Sequence, residues 1–136
     1  MAYYNWDLLP LSHDRPGAAH RRIFGDGMQM QHLIMEPGGT PTKPLNHPDH
    51  EEFFYIQAGQ WEFTLEGDTR ILGPGDVVHV PKGAMHMLRM VTHEPGMLLE
   101  VFSPVYNTDL AKDRHLFTTD AIRQRTAEAQ EQGGAH

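Results

Sequence analysis

No cysteine occurs among the 136 residues. Disulfide staples, thiolate metal sites and cysteine nucleophiles are excluded together, so any metal must be held by nitrogen and oxygen ligands. Long apolar runs are lacking too. The apolar segments are short and broken by Gly, Pro or charge, far from the roughly 20 residues of a membrane-spanning helix. The first residues, Met1 to Leu11, have neither the basic start nor the apolar centre of a secretory signal, and the expected location is the cytoplasm. Basic residues are in short supply. Eleven Lys and Arg against eighteen Asp and Glu leave a formal charge of −7, which repels phosphate backbones and anionic lipid surfaces, so neither nucleic acid nor membrane is an expected partner. The deficit is concentrated between Glu36 and Asp76, where eight carboxylates face only Lys43 and Arg70. A bound cation would offset part of it, although a merely soluble acidic surface accounts for the same count.

What is present reads as one all-β domain. Short apolar segments recur between turn signals, a spacing expected of antiparallel strands in a sandwich or barrel. Strands are predicted over Arg21 to Phe24, Met28 to Met35, Phe53 to Gln57, Trp61 to Leu65, Thr69 to Leu72, Val77 to Val80, His86 to Met90 and Met97 to Phe102. Trp61, Phe63 and Leu65 alternate with Glu62, Thr64 and Glu66, as a strand with one dry and one wet face requires. Glu66-Gly67-Asp68 marks a hairpin connection and Gly73-Pro74-Gly75-Asp76 a further turn. After Pro104 the pattern changes, and Asp120 to Gln130 reads as a short helix capped by Thr119 or Asp120 and ending before Gly133-Gly134. The expected organisation is an N-terminal arm (1–20), a barrel (21–107) and a helical tail (108–136). The arm and tail are candidates for the contact of a homodimer.

Ten histidines are present, and a single histidine is more often a surface or core residue than a ligand, so spacing has to decide. His47-Pro48-Asp49-His50-Glu51-Glu52 places two imidazoles and three carboxylates at the mouth of the strand Phe53 to Gln57, and His86 opens another strand after Pro81-Lys82-Gly83. If the strand is regular back to residue 50, His50 and Glu52 project to the same side, followed by Phe54 and Ile56. His47 has the opposite parity and converges with Glu52 only if Pro48 and Asp49 form a bulge or turn. Two His and a carboxylate, with positions left open for water or substrate, is the ligand set of non-haem iron and related divalent ions.

Gly75-Asp-Val-Val-His-Val-Pro81-Lys-Gly83-Ala-Met-His86 resembles the second cupin motif, G-x5-P-x-G-x2-H, at every fixed position up to the histidine; the following Asn of the family falls on Met90. The first motif, G-x5-H-x-H-x3-4-E-x6-G, is matched by His47, Glu52 and Gly59, with Leu45 where its first histidine would stand. The resemblance covers roughly Arg21 to Pro104. It implies a double-stranded β-helix, the cupin or jelly-roll barrel, to which the residue pattern adds the short C-terminal helix. It also implies that His47, Glu52 and His86 occupy metal-ligand positions. His50 is the candidate to replace the ligand missing at Leu45, with Asn46 or water as alternatives. The expected cofactor is a divalent ion, Fe2+ ahead of Zn2+, Ni2+ or Mn2+.

Strand parity puts Phe54, Ile56, Leu88 and Met90 on the same side as Glu52 and His86, as an apolar pocket around the ion or as plain barrel core. On the second strand either His32 and Glu36, or Gln29, Gln31 and Leu33, point inward. His32, Tyr55 and His79 are candidate general acids or bases. Leu98-Leu-Glu-Val-Phe-Ser103-Pro104 resembles the last barrel strand of small cupins of pectin and alginate degradation, which implies metal-assisted rearrangement of a sugar acid. A carboxylate substrate would then need a local cation, from Arg89, Lys82, Arg70 or the metal. The leading expectation is a metal-dependent, Fe(II)-type dioxygenase acting on a small oxygenated metabolite. The alternatives are a redox-neutral lyase or isomerase of a sugar acid and a non-catalytic ligand-binding cupin.

Overall fold

The computed structural model describes residues 2–38 and 42–134. Nine strands carry the fold: β1 Ser12–Arg15, β2 Ala18–Phe24, β3 Gln29–Met35, β4 Glu51–Ala58, β5 Trp61–Leu65, β6 Asp68–Leu72, β7 Val77–Val80, β8 His86–Met90 and β9 Gly96–Ser103. They form a six-stranded sheet in the order β1-β2-β3-β9-β4-β7 and a three-stranded sheet in the order β6-β5-β8, with every pairing antiparallel. This is the all-β barrel expected from the sequence. No helix among the described residues is long and apolar enough to cross a membrane.

Alternation decides which residues face the core. On β4 burial alternates strictly, with Glu52, Phe54 and Ile56 buried and Glu51, Phe53, Tyr55 and Gln57 exposed, the period of two that a pleated strand imposes. On β9, Gly96, Leu98, Glu100 and Phe102 are buried in the same rhythm. Leu33, Met35, Phe54, Ile56, Trp61, Phe63, Val80, Leu88 and Leu98 pack into one apolar cluster, whose removal from water is the main force holding the two sheets together. Gly96 is required there, because a Cβ would run into Met90 and Trp61. The β5–β6 hairpin turns on Glu66 (φ 47°) and Gly67 (φ 80°), the pair of positive φ angles that matches the twist of the flanking strands.

Residues 11–106 form one compact unit; the two chain ends, to Pro10 and from Asn107, form another. Residues 12–20, assigned to an arm on sequence, lie in β1 and β2, joined by Pro16-Gly17 with Gly17 at φ 74°. The polar segment Ser12-His-Asp-Arg15 hid its strand character because it is an edge strand with no apolar alternation. The terminal unit holds α1 (Thr108–Ala111) and α2 (Thr119–Gly134). The cap of α2 is Thr118, not Thr119 or Asp120: Ala121 N–H donates to Thr118 Oγ1 at 3.2 Å, satisfying an orphan donor of the first turn. The helix runs on through Gly133, where the sequence suggested an end.

Candidate metal centre

His86 opens β8 and pairs through its backbone with Leu45, in both directions, at 2.9 and 3.0 Å. Its Nδ1 donates to the Ala84 carbonyl at 3.1 Å, which turns Nε2 inward. Glu52, on β4, is 1% exposed and brings Oε1 to 2.9 Å from His86 Nε2. His47 reaches the same carboxylate through the turn that sequence parity demanded: the His50 N–H donates to the His47 carbonyl across Pro48-Asp49, and His47 Nε2 comes to 3.7 Å from Glu52 Oε1. The Gly83 N–H donates to the His47 carbonyl as well, at 3.0 Å. Gly83, at φ 78°, thereby ties the loop before β8 to the one before β4.

Donor atoms of His47, Glu52 and His86 lie within 4.8 Å of one another. Two donors each at about 2.0–2.2 Å from one ion can be up to about 4.4 Å apart, so the observed Nε2–Oε1 spacings of 2.9 and 3.7 Å suit a shared cation. The chemistry asks for one. With Nδ1 committed to Ala84, neutral His86 presents a lone pair to an anionic oxygen, and two acceptors at that distance need a proton or a metal between them. Among the described residues nothing beyond the two imidazoles satisfies either Glu52 oxygen, although both are buried. Burial raises the Glu52 pKa, against the pull of His86 and His50. On His86, burial acts downward, but Glu52 and the Ala84 carbonyl hold the ring above its usual value. Burial, with the neighbouring His86 and His50, lowers His47. These three residues therefore fit a divalent ion on two neutral imidazoles and one carboxylate, and the sulfur-free set is open to iron, zinc, nickel or manganese.

His50 is not brought into this group. β4 begins at Glu51, so the regular strand that would have aimed His50 inward does not reach it. Its Nε2 donates to the Val105 carbonyl at 3.1 Å and its ring stands edge-on to Tyr106. Leu45 does line the interior, beside His86, so the position of the family's first histidine is kept and its donor is not.

His47 and His86 open on a cavity of about 230 Å3 whose wall is more polar than the sequence suggested. Phe54, Leu88, Leu33, Leu45 and Phe102 supply apolar surface, and Ile56 and Met90 lie in the core instead. Asp14, Arg15, His20, Arg22, Gln31 and Glu100 supply its polar surface. Strand β3 resolves in favour of Gln29, Gln31 and Leu33 as the inward set. Arg22 Nε donates to Gln31 Oε1 at 3.1 Å, and Gln31 Nε2 donates to Glu100 Oε2 at 3.2 Å. Glu100 was not singled out from the sequence, although its signal was there: it occupies the register of Leu98 and Phe102, a carboxyl on an inward-facing row. Burial above all, then the charge of Glu52, pushes its pKa up to about 8, so its carboxyl is protonated at neutral pH in the metal-free chain.

The proposed acids and bases do not reach this cavity. His32 faces the other side of β3, where burial lowers its pKa against the upward pull of Gln57. Tyr55 is exposed on the outer face of β4. His79, on edge strand β7, meets Glu51 Oε1 at 2.7 Å and borders a separate cavity with Arg70, Val77 and Val78. Parity explains Tyr55 and His79: both lie one residue out of register with inward neighbours. Arg89 pairs with Glu62, Arg70 with Asp68, and both are exposed, as is Lys82.

The family model described as Cupin domain matches residues 31–102, more than half of the chain. The chain belongs to the cupin family. It is 38% identical over 66 residues to the pectin degradation protein KdgF of Dickeya dadantii, a match covering 48% of this chain and 56% of that protein. It is 27% identical over 121 residues to the quercetin 2,3-dioxygenase of Bacillus subtilis, covering 82% of this chain and 35% of that one. The structure of KdgF from Halomonas sp. superposes with a TM-score of 0.73 at 21% identity, covering 80% of this cupin and 98% of that chain. The first curated relatives are matched over only 17% to 56% of their own length.

Proposed function

We propose that this cupin is a metal-dependent enzyme that carries out redox-neutral proton-transfer chemistry, as a lyase or isomerase, on a small oxygenated metabolite. The observation that carries the reading is that His47 and His86 of the donor group line one cavity with the buried Glu100. A divalent ion bound there would act as a Lewis acid, polarising a carbonyl or hydroxyl oxygen of the substrate. His47 and His86 would hold it as neutral ligands beside Glu52, and the Ala84 carbonyl keeps the His86 tautomer fixed. Gln31 holds Glu100 Oε2 as an acceptor, which leaves Oε1 to carry the proton and deliver it to, or recover it from, the substrate. A carboxyl whose pKa is raised toward neutrality is suited to both directions of transfer. Phe54, Leu88 and Phe102 narrow the space and keep bulk water from the transfer.

A second reading, a dioxygenase, draws on the two-histidine, one-carboxylate set and the apolar Leu45 beside it, which leave coordination positions to substrate and oxygen. One experiment separates the two. Protein loaded anaerobically with Mn2+, Ni2+, Zn2+ or Fe2+ is offered hydroxy acids, uronates and diketones, and products are followed without and with oxygen. Conversion without oxygen is the expected result. Conversion only with iron and with stoichiometric oxygen uptake would replace this reading with the second.

A further inference from the structure

The polar lining of this cavity includes one cation that forms no ion pair among the described residues. Asp14 Oδ2 lies 2.6 Å from Arg22 Nη2 and 2.9 Å from His20 Nδ1. Burial acts to raise the Asp14 pKa, but its bonds to Ser12 and Arg22 hold it below the usual value, so it is the anion of this cluster. His20 is neutral: burial, reinforced by Arg22, brings it down to about 4. Asp14 and Arg22 thus cancel, and Arg22 is further committed to Gln31. Arg15 remains. Its Nε and Nη2 are shielded from solvent and have no hydrogen-bond partner among the described residues, and no carboxylate among them forms a salt bridge with it, although its charge acts on Glu100. A guanidinium is never deprotonated in a protein, so it cannot shed the charge as a buried lysine would. In a chain of net charge −7, an unpaired cation turned into the functional cavity is a place prepared for an anion.

The backbone shows how it gets there. Ser12 stands opposite His20 and Arg15 opposite Ala18, so the β1–β2 register slips by one residue between them. Such a bulge breaks the alternation of sides and re-aims a side chain. Asp14 and Arg15, although consecutive, therefore both line the cavity. Pro16-Gly17 closes the hairpin immediately after Arg15, fixing where the edge strand stops. This hairpin lies outside the segment that the family model covers.

We propose that Arg15 docks the carboxylate of the substrate through its guanidinium, and that the cavity takes a small hydroxy- or polyhydroxycarboxylate whose oxygens extend toward His47 and His86. Two parallel donors on one guanidinium match the two oxygens of a carboxylate. The cavity, about 230 Å3, lies below the roughly 300–1,000 Å3 of common ligand sites, which sets the scale at a short-chain acid. The claim names the substrate class of the enzyme proposed above, yet binding is testable without turnover.

Calorimetric titration of the full-length, metal-free protein compares glycolate with ethylene glycol and gluconate with glucitol, members of each pair differing chiefly in the carboxylate. At least one acid is expected to bind and its uncharged counterpart not. Arg15→Met weakens that binding about tenfold to a hundredfold, the scale of lost charged hydrogen bonds. Arg15→Lys keeps part of it, and Arg89→Met, at an exposed cation paired with Glu62, leaves it unchanged. Removing an unpaired buried cation also leaves the melting temperature of the ligand-free protein level or higher, whereas a structural role for Arg15 predicts a fall. The proposal is overturned if neither acid binds, if the uncharged partners bind equally, or if Arg15→Met binds like wild type. Failure here with oxygen-independent turnover intact removes only Arg15 from the account; loss of turnover with acid binding intact removes only the reaction.

Discussion

The two ends of the cavity were assembled by different means. At the metal end, the donors come from short, spaced motifs: a turn at Pro48-Asp49 delivers His47, strand parity delivers Glu52, and a loop fixed by Gly83 delivers His86. At the polar end, Asp14, Arg15, Arg22, Gln31 and Glu100 come from four strands, β1, β2, β3 and β9. They are linked side chain to side chain from Asp14 through Arg22 and Gln31 to Glu100. The first end resembles what many cupins share, whereas the second is built partly from the β1–β2 hairpin outside the matched segment. The comparison teaches that one end would set the kind of chemistry and the other would choose the molecule on which it acts.

If the ends have those separate duties, substitutions at one should spare the property assigned to the other. Glu100→Gln is the largest expected effect of this kind. It removes the proton carrier and preserves the shape and the Gln31 contact, so kcat should fall by about 10²–10⁴ while metal content stays at the wild-type level. Loss of the metal in this variant would show that the ends cannot be separated.

A smaller effect concerns pH. Glu100 has a folded-state pKa of about 8 against an ordinary value of 4.5. The unfolded chain thus releases this proton first, and the stability it contributes is full below about pH 4.5 and declines as pH rises toward about 8. In urea unfolding of the metal-free protein between pH 5.5 and 7.5, the decline should reach at most about 1.4 kcal/mol per pH unit. Glu100→Gln should flatten it. Equal slopes in the two proteins would place the titrating group elsewhere.

The smallest effects belong to residues outside both ends. His50→Ala should change metal affinity less than about tenfold, the lower bound for partners that orient ligands. Tyr55→Phe and His79→Ala should leave kcat/KM unchanged, since both side chains point away from the cavity. A hundredfold loss of metal in His50→Ala would restore it to the donor set.

Much of the fold was legible because alternation survives wherever one face is buried, as along Trp61–Leu65 and through β4. His47, Glu52 and His86 were legible because their spacing is tied to backbone features, a Pro-containing turn and a Gly at positive φ. The reading failed where it extended a strand beyond its end, which is why His50 was aimed inward. It also failed at β1, whose polar edge sequence carries no apolar rhythm and whose bulge overrides parity. Arg15 therefore left no local signal, and pairing between strands distant from the metal motifs had to reveal it. Glu100 is the intermediate case: its inward register could be read, but its meaning depended on the neighbours that β1 and β2 supply.

The central claim is that His47, Glu52 and His86 hold a divalent ion without a fourth protein ligand. Elemental analysis of protein purified without chelators or histidine-affinity resin tests it directly, alongside the His86→Ala and His50→Ala variants. The account predicts close to one ion per chain in the wild type and in His50→Ala, and none in His86→Ala. A wild-type chain without stoichiometric metal, or a His86→Ala chain that retains it, would contradict the account.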